Sequence, residues 1–345
     1  MTELARTAAQ MVAPGKGILA ADESIATMSA RLEKTGVAPT EENRRAYREL
    51  LVTTPRLASG ISGVILCDET FRQSLADGRT FPEAMAQLGL LPGIKVDTGA
   101  RHLAGAPGET VTEGLDGLRE RLAEYAALGA RFAKWRAVVG IGAGTGTGAG
   151  QPSPWKVRAD AHALARYAAL CQEAGIVPIV EPEVLMEGAH GTARCAAVTS
   201  EVLRAVFAEL EAAGVDLEGI VLKPNMVVPG RDSFEVVTPD EVARATVTVL
   251  RAAVDERVAG IAFLSGGQSA ARATAHLAAM QRLETPWPLT FSFGRGLVDP
   301  ALAAWHGEPG RVSAGQRALA HRVACNTAAL QGTYTDALED AHAPA

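Results

Sequence analysis

Cysteine and histidine are scarce in this chain, and neither is spaced for chemistry. Four cysteines occur in 345 residues, and Cys67, Cys171, Cys195 and Cys325 stand far apart with no CxxC pair. That usage builds no disulfide framework or zinc site and suits a reducing compartment. The seven histidines (His102, His162, His190, His276, His306, His321, His342) form no HxH, HExxH or HxxxH pair, so no metal and no other cofactor is expected. No apolar run approaches the roughly 18 residues of a membrane span. The opening "MTELARTAAQMVAPGKG" carries an early acid and no apolar core, so no signal peptide is expected. Blocks of like charge are missing and the net charge is −6, which argues against nucleic acid or anionic membrane as a partner. A cytoplasmic globular enzyme is the expectation.

What is present is a repeated unit: a short apolar strand with a polar residue at its end, a loop, then an amphipathic helical stretch. The strand candidates are "GILAAD", "ISGVILCD", "GIKVD", "ARFAKWR", "IVPIVEPE", "GIVLKPN", "VAGIAFLSG" and "PLTFSFGR". They are separated by roughly 25 to 45 residues, the length of a βα unit. Their continuous apolar character suits parallel strands covered on both faces. Between them, "RADAHALARYAALCQEAG" places Ala163, Leu164, Tyr167, Ala168 and Cys171 on one face and stops at Gly175. "TSEVLRAVFAELEAAG" stops at Gly214 in the same way, and "TPDEVARATVTVLRAAV" opens with the capping spacing Thr238, Pro239, Glu241. No composition shift marks a domain linker. The expected architecture is α/β, a single-domain (β/α)8 TIM barrel over residues 1–345, with a short N-terminal helix and a short C-terminal tail from about residue 335. A doubly wound sheet is the competing architecture, but "AADESIATM" has no glycine where its phosphate turn would follow the first strand.

In a barrel the reactive groups line the rim at the carboxyl ends of the strands. Here those ends carry Asp22, Lys95 with Asp97, Lys134 with Arg136, Glu181 with Glu183, Lys223, Ser265 and Arg295. Each could be a local ion pair; Lys223, inside the apolar run "GIVLKPNMVV", could be a lysine that snorkels to water. Convergence from so many strands favours chemistry instead. An amine in an apolar site beside other cations loses its proton and attacks carbonyls, which makes Lys223 the candidate nucleophile with Lys95 and Lys134 as neighbouring charge. Glu181 and Glu183 lie on the preceding strand to move protons, and Asp22 is placed to accept one from a substrate hydroxyl. "FLSGGQS" (Ser265, Gly266, Gly267) and "SFGRG" (Ser292, Gly294, Arg295) supply amides and a guanidinium for an anion after the last two strands. "GIGAGTGTGAG" has GxGxxG spacing but runs into "QPSPW" rather than a helix, so residues 140–154 read as a flexible rim loop and not as a dinucleotide site.

Taken together, "GKGILAADES", "TEENRRAYRELL", "GIKVD", "GETVTEGLDGL", "FAKWR", "GIVPIVEPEVL", "LKPNMV", "FLSGGQS", "LTFSFGR" and "ALQGTY" resemble class I fructose-bisphosphate aldolases, the metal-independent kind, in order from about residue 15 to 334. The resemblance implies reversible cleavage of fructose 1,6-bisphosphate to dihydroxyacetone phosphate and glyceraldehyde 3-phosphate in glycolysis and gluconeogenesis. By motif, Lys223 would be the Schiff-base lysine, Glu181 the proton shuttle with Glu183 in support, Asp22 the aid to carbon–carbon cleavage, and Lys134 a charge stabiliser. Ser265, Gly266 and Arg295 resemble one phosphate site, and Ser24, Thr27, Arg31 and Lys95 the other. Asp97, Arg136, Gly267, Ser292 and Gly294 complete the candidate substrate-binding set. A homotetramer is the family expectation.

Three departures accompany the resemblance. Thr98 stands where a second lysine is familiar, the glycine-rich loop looks longer than usual, and "TDALEDAHAPA" lacks the terminal tyrosine of animal members. Tyr334 matches an internal family position, so another group or water is expected to reprotonate the enamine. The alternatives to an aldolase are a non-covalent sugar-phosphate isomerase using Glu181 and Lys134, and a sugar-phosphate-binding scaffold without chemistry.

Overall fold

A computed structural model describes residues 1–142 and 150–340. Ten strands form among them: β1 Gly17–Ala21, β2 Ile61–Leu66, β3 Leu91–Lys95, β4 Gly99–His102, β5 Thr110–Glu113, β6 Phe132–Val139, β7 Val177–Val184, β8 Val221–Leu222, β9 Ile261–Phe263 and β10 Leu289–Phe293. Eight of them close into one parallel barrel in the order β1-β10-β9-β8-β7-β6-β3-β2. Every strand anticipated from the sequence takes part. The antiparallel hairpin β4–β5 was not anticipated; it rises from the loop after β3, where Thr98 N–H donates to the Glu113 carbonyl. Its short polar strands have one buried position between them, Thr112, and give no apolar run to detect.

Strand length departs from expectation at β8, which spans two residues. Lys223 N–H still donates to the Val180 carbonyl at 2.8 Å, but Pro224 has no N–H to continue the ladder. The helices between strands stop where the sequence placed the signals, although Pro154–Glu173 and Thr192–Ala212 begin four and seven residues before the stretches read from it. Thr238 and Glu241 form a reciprocal capping box, and Gly175 and Gly214 follow their helices at φ +71° and +69°. The helix Pro154–Glu173 buries Ala163, Leu164, Tyr167, Ala168 and Cys171 as one face.

Alternation along the strands sorts the two sides of the barrel wall. Ile18, Ala20, Ile65, Phe132, Val177, Ile179, Val221 and Ala262 fill the interior, and the N-terminal helix Glu3–Met11 closes its lower end with Ala8 and Met11. Their neighbours Leu19, Val64, Leu66, Val180, Leu222 and Phe263 face outward into the larger core under the helices. Two steps up from the interior residues Ala20, Phe132, Ile179 and Val221 come Asp22, Lys134, Glu181 and Lys223, which is why a row of lysines and carboxylates sits over a dry plug. The plug is tightly fitted: the Phe132 ring lies where side chains at Gly63 and Gly93 would be, 2.8 and 2.2 Å from an added Cβ. Gly93→Ala therefore overpacks the interior and is expected to cost about 1–3 kcal/mol, read as a lower urea midpoint; an unchanged midpoint would show that the ring simply moves aside.

Candidate active site

Lys134 on β6 holds the rim together. Its Nζ lies 2.5 Å from Asp22 Oδ2 and 3.1 Å from Glu181 Oε2, and Glu181 Oε1 lies 3.1 Å from Lys223 Nζ. The four side chains form one chain of alternating charge, Asp22–Lys134–Glu181–Lys223, drawn from just past β1, from β6, from β7 and from just past β8. All four residues are at least nine-tenths buried, so the charges interact in a low dielectric and survive there because each is paired.

The titration behaviour follows from that order. Burial alone would raise the Asp22 carboxyl, but the Lys134 and Lys223 cations outweigh it and bring its pKa from 3.8 to about 2. Burial would likewise raise Glu181, and Lys134, Lys223 and Arg136 turn the net shift downward. For Lys134 burial favours the neutral amine, but Asp22 and Glu181 hold it well above the ordinary lysine value. Lys223 goes the other way. Burial lowers it, Glu181 pushes back, Lys134 lowers it further and Asp22 offsets part of that, with a net downward shift. Two lysines side by side thus have opposite fates: one a fixed cation, the other an amine disposed to be neutral.

The remaining sequence-predicted residues fall into distinct settings. Arg136 Nε binds Glu183 Oε2 at 2.6 Å, so Glu183 steadies a guanidinium rather than touching Glu181. Lys95 was expected to add positive charge beside Lys223; it is instead bonded to Asp97 Oδ1 at 2.6 Å, and the cation acting on Lys223 is Lys134. Asp97 also accepts the amides of Gly99 and Arg136 at 3.1 and 3.2 Å. Ser24 caps the helix Ile25–Lys34 and meets Thr27 Oγ1 at 3.0 Å. Arg31 from the same helix is tied to Glu23 and Asp299, so a phosphate bound there must displace carboxylates. Ser292 lies on β10 in register with the interior residue Ile18, its hydroxyl buried without a hydrogen-bond partner.

The turn after β9 is organised differently. Gly266 and Gly267 adopt φ +57° and +83°, a left-handed pair that glycine tolerates without strain. Ser265 lies against the start of the helix Arg295–Trp305, since a Cβ on Gly296 would stand 3.5 Å from the serine's own Cβ. Gly294 is the N-cap of that helix. Arg295 makes no ion pair with any described residue. Two residues that sequence reasoning missed brace the turn: Gln268 Nε2 donates to the Ser265 carbonyl at 3.1 Å, and Gln268 Oε1 lies 2.6 Å from His276 Nδ1. Burial and the nearby Arg272 keep that imidazole neutral, its pKa lowered to about 4. No linear motif marks the pair; they meet by being eight residues apart around a helix start.

The three departures noted in the sequence have separate outcomes. Tyr334 donates to Glu339 Oε1 at 2.9 Å, and Thr98 is exposed at the base of the β4–β5 hairpin. Of the glycine-rich loop, residues 143–149 lie outside the described residues, as do 341–345 of the tail. A group the sequence did not suggest, His321 with Cys325 and Glu339, has ligand atoms within 4.8 Å of one another, but Arg322 already binds the Glu339 carboxylate.

A parallel (β/α)8 barrel with a buried amine beside a carboxylate at its rim suits a carbon–carbon lyase, and the comparisons show that class. The family model for class-I fructose-bisphosphate aldolase matches residues 3–344. A probable class 1 fructose-bisphosphate aldolase of Xylella fastidiosa is 52% identical over 334 residues, 96% of this chain and 98% of its own. A cytosolic fructose-bisphosphate aldolase of Arabidopsis thaliana is 50% identical, covering 96% and 92%. In structure, the fructose-bisphosphate aldolase of Plasmodium falciparum, solved with TRAP and a small-molecule inhibitor, superposes with a TM-score of 0.93 at 42% identity over 96% of this chain and 95% of that one. The chain belongs to the class-I fructose-bisphosphate aldolase family. No helix among the described residues is long and apolar enough to cross a membrane.

The acid side of the stability curve tests the ion network. Asp22 has its folded pKa depressed, so its contribution is complete above 3.8 and is lost as pH falls toward about 2. The wild type should lose about 2 kcal/mol more than Asp22→Asn between those values, measured by urea unfolding at each pH. Parallel curves for the two proteins would remove Asp22 from the network.

Proposed function

We propose that the protein cleaves fructose 1,6-bisphosphate reversibly through an imine on Lys223, with Glu181 as the proton carrier. The observation that carries this reading is the 3.1 Å contact between Lys223 Nζ and Glu181 Oε1, in a site where burial and Lys134 lower the lysine while the neighbouring cations, Lys134 first, keep Glu181 ionised against burial. Glu181 takes a proton from the Lys223 ammonium, and the neutral amine attacks the C2 carbonyl of the open-chain ketose and passes a second proton to its oxygen. The carbinolamine hydroxyl leaves as water when Glu181 returns the first proton to it, which leaves a protonated imine. The iminium then draws electrons from the substrate. The C4 hydroxyl gives up its proton, the C3–C4 bond breaks, its electron pair moves into the enamine, and glyceraldehyde 3-phosphate departs. Protonation at C3 and hydrolysis release dihydroxyacetone phosphate and regenerate the amine.

Asp22 and Lys134 frame the C4 end of that reaction. Lys134 stays charged throughout and stabilises the oxyanion that develops at C4; Asp22 accepts the hydrogen bond of the hydroxyl and assists its ionisation. The Ser265–Gly267 turn follows β9, the strand beside β8, so it is the phosphate site next to Lys223 and takes the phosphate on C1, one bond from the imine carbon. Ser24, Thr27, Arg31 and Lys95, further round the barrel, take the phosphate on C6. Arg136, Asp97, Ser292 and Gly294 line the space between. We further propose the homotetramer of the family resemblance, which light scattering on the purified protein would read; a monomeric mass would contradict it.

Borohydride with dihydroxyacetone phosphate tests the covalent step. Reduction should inactivate the enzyme and add the ketose phosphate to one peptide, with the label on Lys223, and Lys223→Met should abolish both cleavage and label. Turnover that survives borohydride but is lost in Glu181→Gln would instead favour a non-covalent isomerase.

A further inference from the structure

The Ser265–Gly267 turn is approached by a second guanidinium that no motif marked. A Cβ placed on Gly267 would lie 3.0 Å from Arg231 Nη2 and 3.5 Å from Arg295 Nη2. Two cations therefore reach the same spot, Arg295 from the helix after β10 and Arg231 from the segment after β8. Neither is well neutralised. Arg295 has no ion pair among the described residues, and the nearest carboxylate to Arg231, Glu187, stands 3.9 Å away. Like charges in that arrangement repel, and the arrangement becomes favourable when a multivalent anion lies between them.

The position of Arg231 is fixed by its backbone. Gly230 N–H donates to the His190 carbonyl at 2.8 Å, Arg231 N–H to Met186 at 2.6 Å and Asp232 N–H to Gly188 at 3.0 Å. These bonds lay the segment after β8 along the segment after β7. Gly230 permits the approach because a Cβ there would lie 2.1 Å from the Gly188 carbonyl oxygen. The side chain is half exposed, so it stands at the mouth of the turn.

We infer that Arg231 is a specificity-determining residue of this enzyme, closing with Arg295 on the phosphate seated at the Ser265–Gly267 turn. A phosphate monoester carries nearly two charges at neutral pH; Arg295 and the helix amides meet part of that charge, and Arg231 meets the rest from the solvent side. The inference rests on the proposed function for the identity of the ligand, but the binding of inorganic phosphate tests it without catalysis.

The test uses Arg231→Gln and Arg231→Lys, with Arg257→Gln as a charge control on an exposed arginine paired only with Asp255. Calorimetry with inorganic phosphate should show affinity about tenfold weaker in Arg231→Gln, with most of the loss restored in Arg231→Lys and none in the control. The KM for fructose 1,6-bisphosphate should rise in parallel while kcat stays within about threefold, because the contact is made equally in ground and transition states. Phosphate affinity and KM within twofold of wild type in Arg231→Gln, or an equal loss in Arg257→Gln, would overturn the assignment. Wild-type protein that binds phosphate through Arg231 but fails to cleave the bisphosphate would sink the proposed function alone.

Discussion

One ammonium group sets the character of this site. Lys134 Nζ is shared by Asp22 and Glu181, and through Glu181 its influence reaches Lys223. Remove it in thought and two buried carboxylates face one another without a cation between them, so one takes up a proton and the next lysine keeps its own. With it present, Asp22 and Glu181 both remain ionised and Lys223 has to share Glu181 with Lys134. The arrangement is costly to bury and weakly stabilising in itself; its return is an amine held in a reactive state beside an ionised base.

The barrel makes this possible through alternation. Lys134 stands two residues above Phe132, Glu181 two above Ile179, Lys223 two above Val221 and Asp22 two above Ala20, and each lower residue belongs to the dry interior. Register then matches the levels: Lys95 pairs with Lys134, and Arg136 with Glu181. A shift of one residue in any strand would send its charged group out among the helices. The tight fit of Phe132 over Gly63 and Gly93 therefore serves the chemistry as well as stability, since it locks the register of three adjacent strands.

Much of this is legible in the sequence because strand patterning is local. Eight apolar runs ending in polar residues give the barrel, and the polar ends give Asp22, Lys134, Glu181 and Lys223. What is not legible depends on side chains crossing between loops. That Lys95 binds Asp97 while Lys134 is the cation that presses on Lys223 is decided by reach, not spacing. Arg31 reads as a phosphate ligand, and only the structure shows that Glu23 and Asp299 already hold it. Arg231 follows "NMVVPG" with no recognisable pattern, and its relation to Gly267 exists only once the segments after β7, β8 and β9 lie side by side. Hairpin β4–β5 escapes for a different reason: polar strands outside the core carry no hydrophobic period.

The central claim is that Lys134 holds Lys223 in a readily deprotonated state, and the pH dependence of Lys223 modification measures it directly. Competitive labelling of Lys223 by an amine-reactive reagent, followed by peptide mass spectrometry across pH, gives its titration midpoint in wild type and in Lys134→Met. The account predicts a midpoint below the ordinary 10.5 in the wild type and a higher one in Lys134→Met, where the repelling cation is gone. A wild-type midpoint at or above 10.5, or one that does not move when Lys134 is removed, would contradict it.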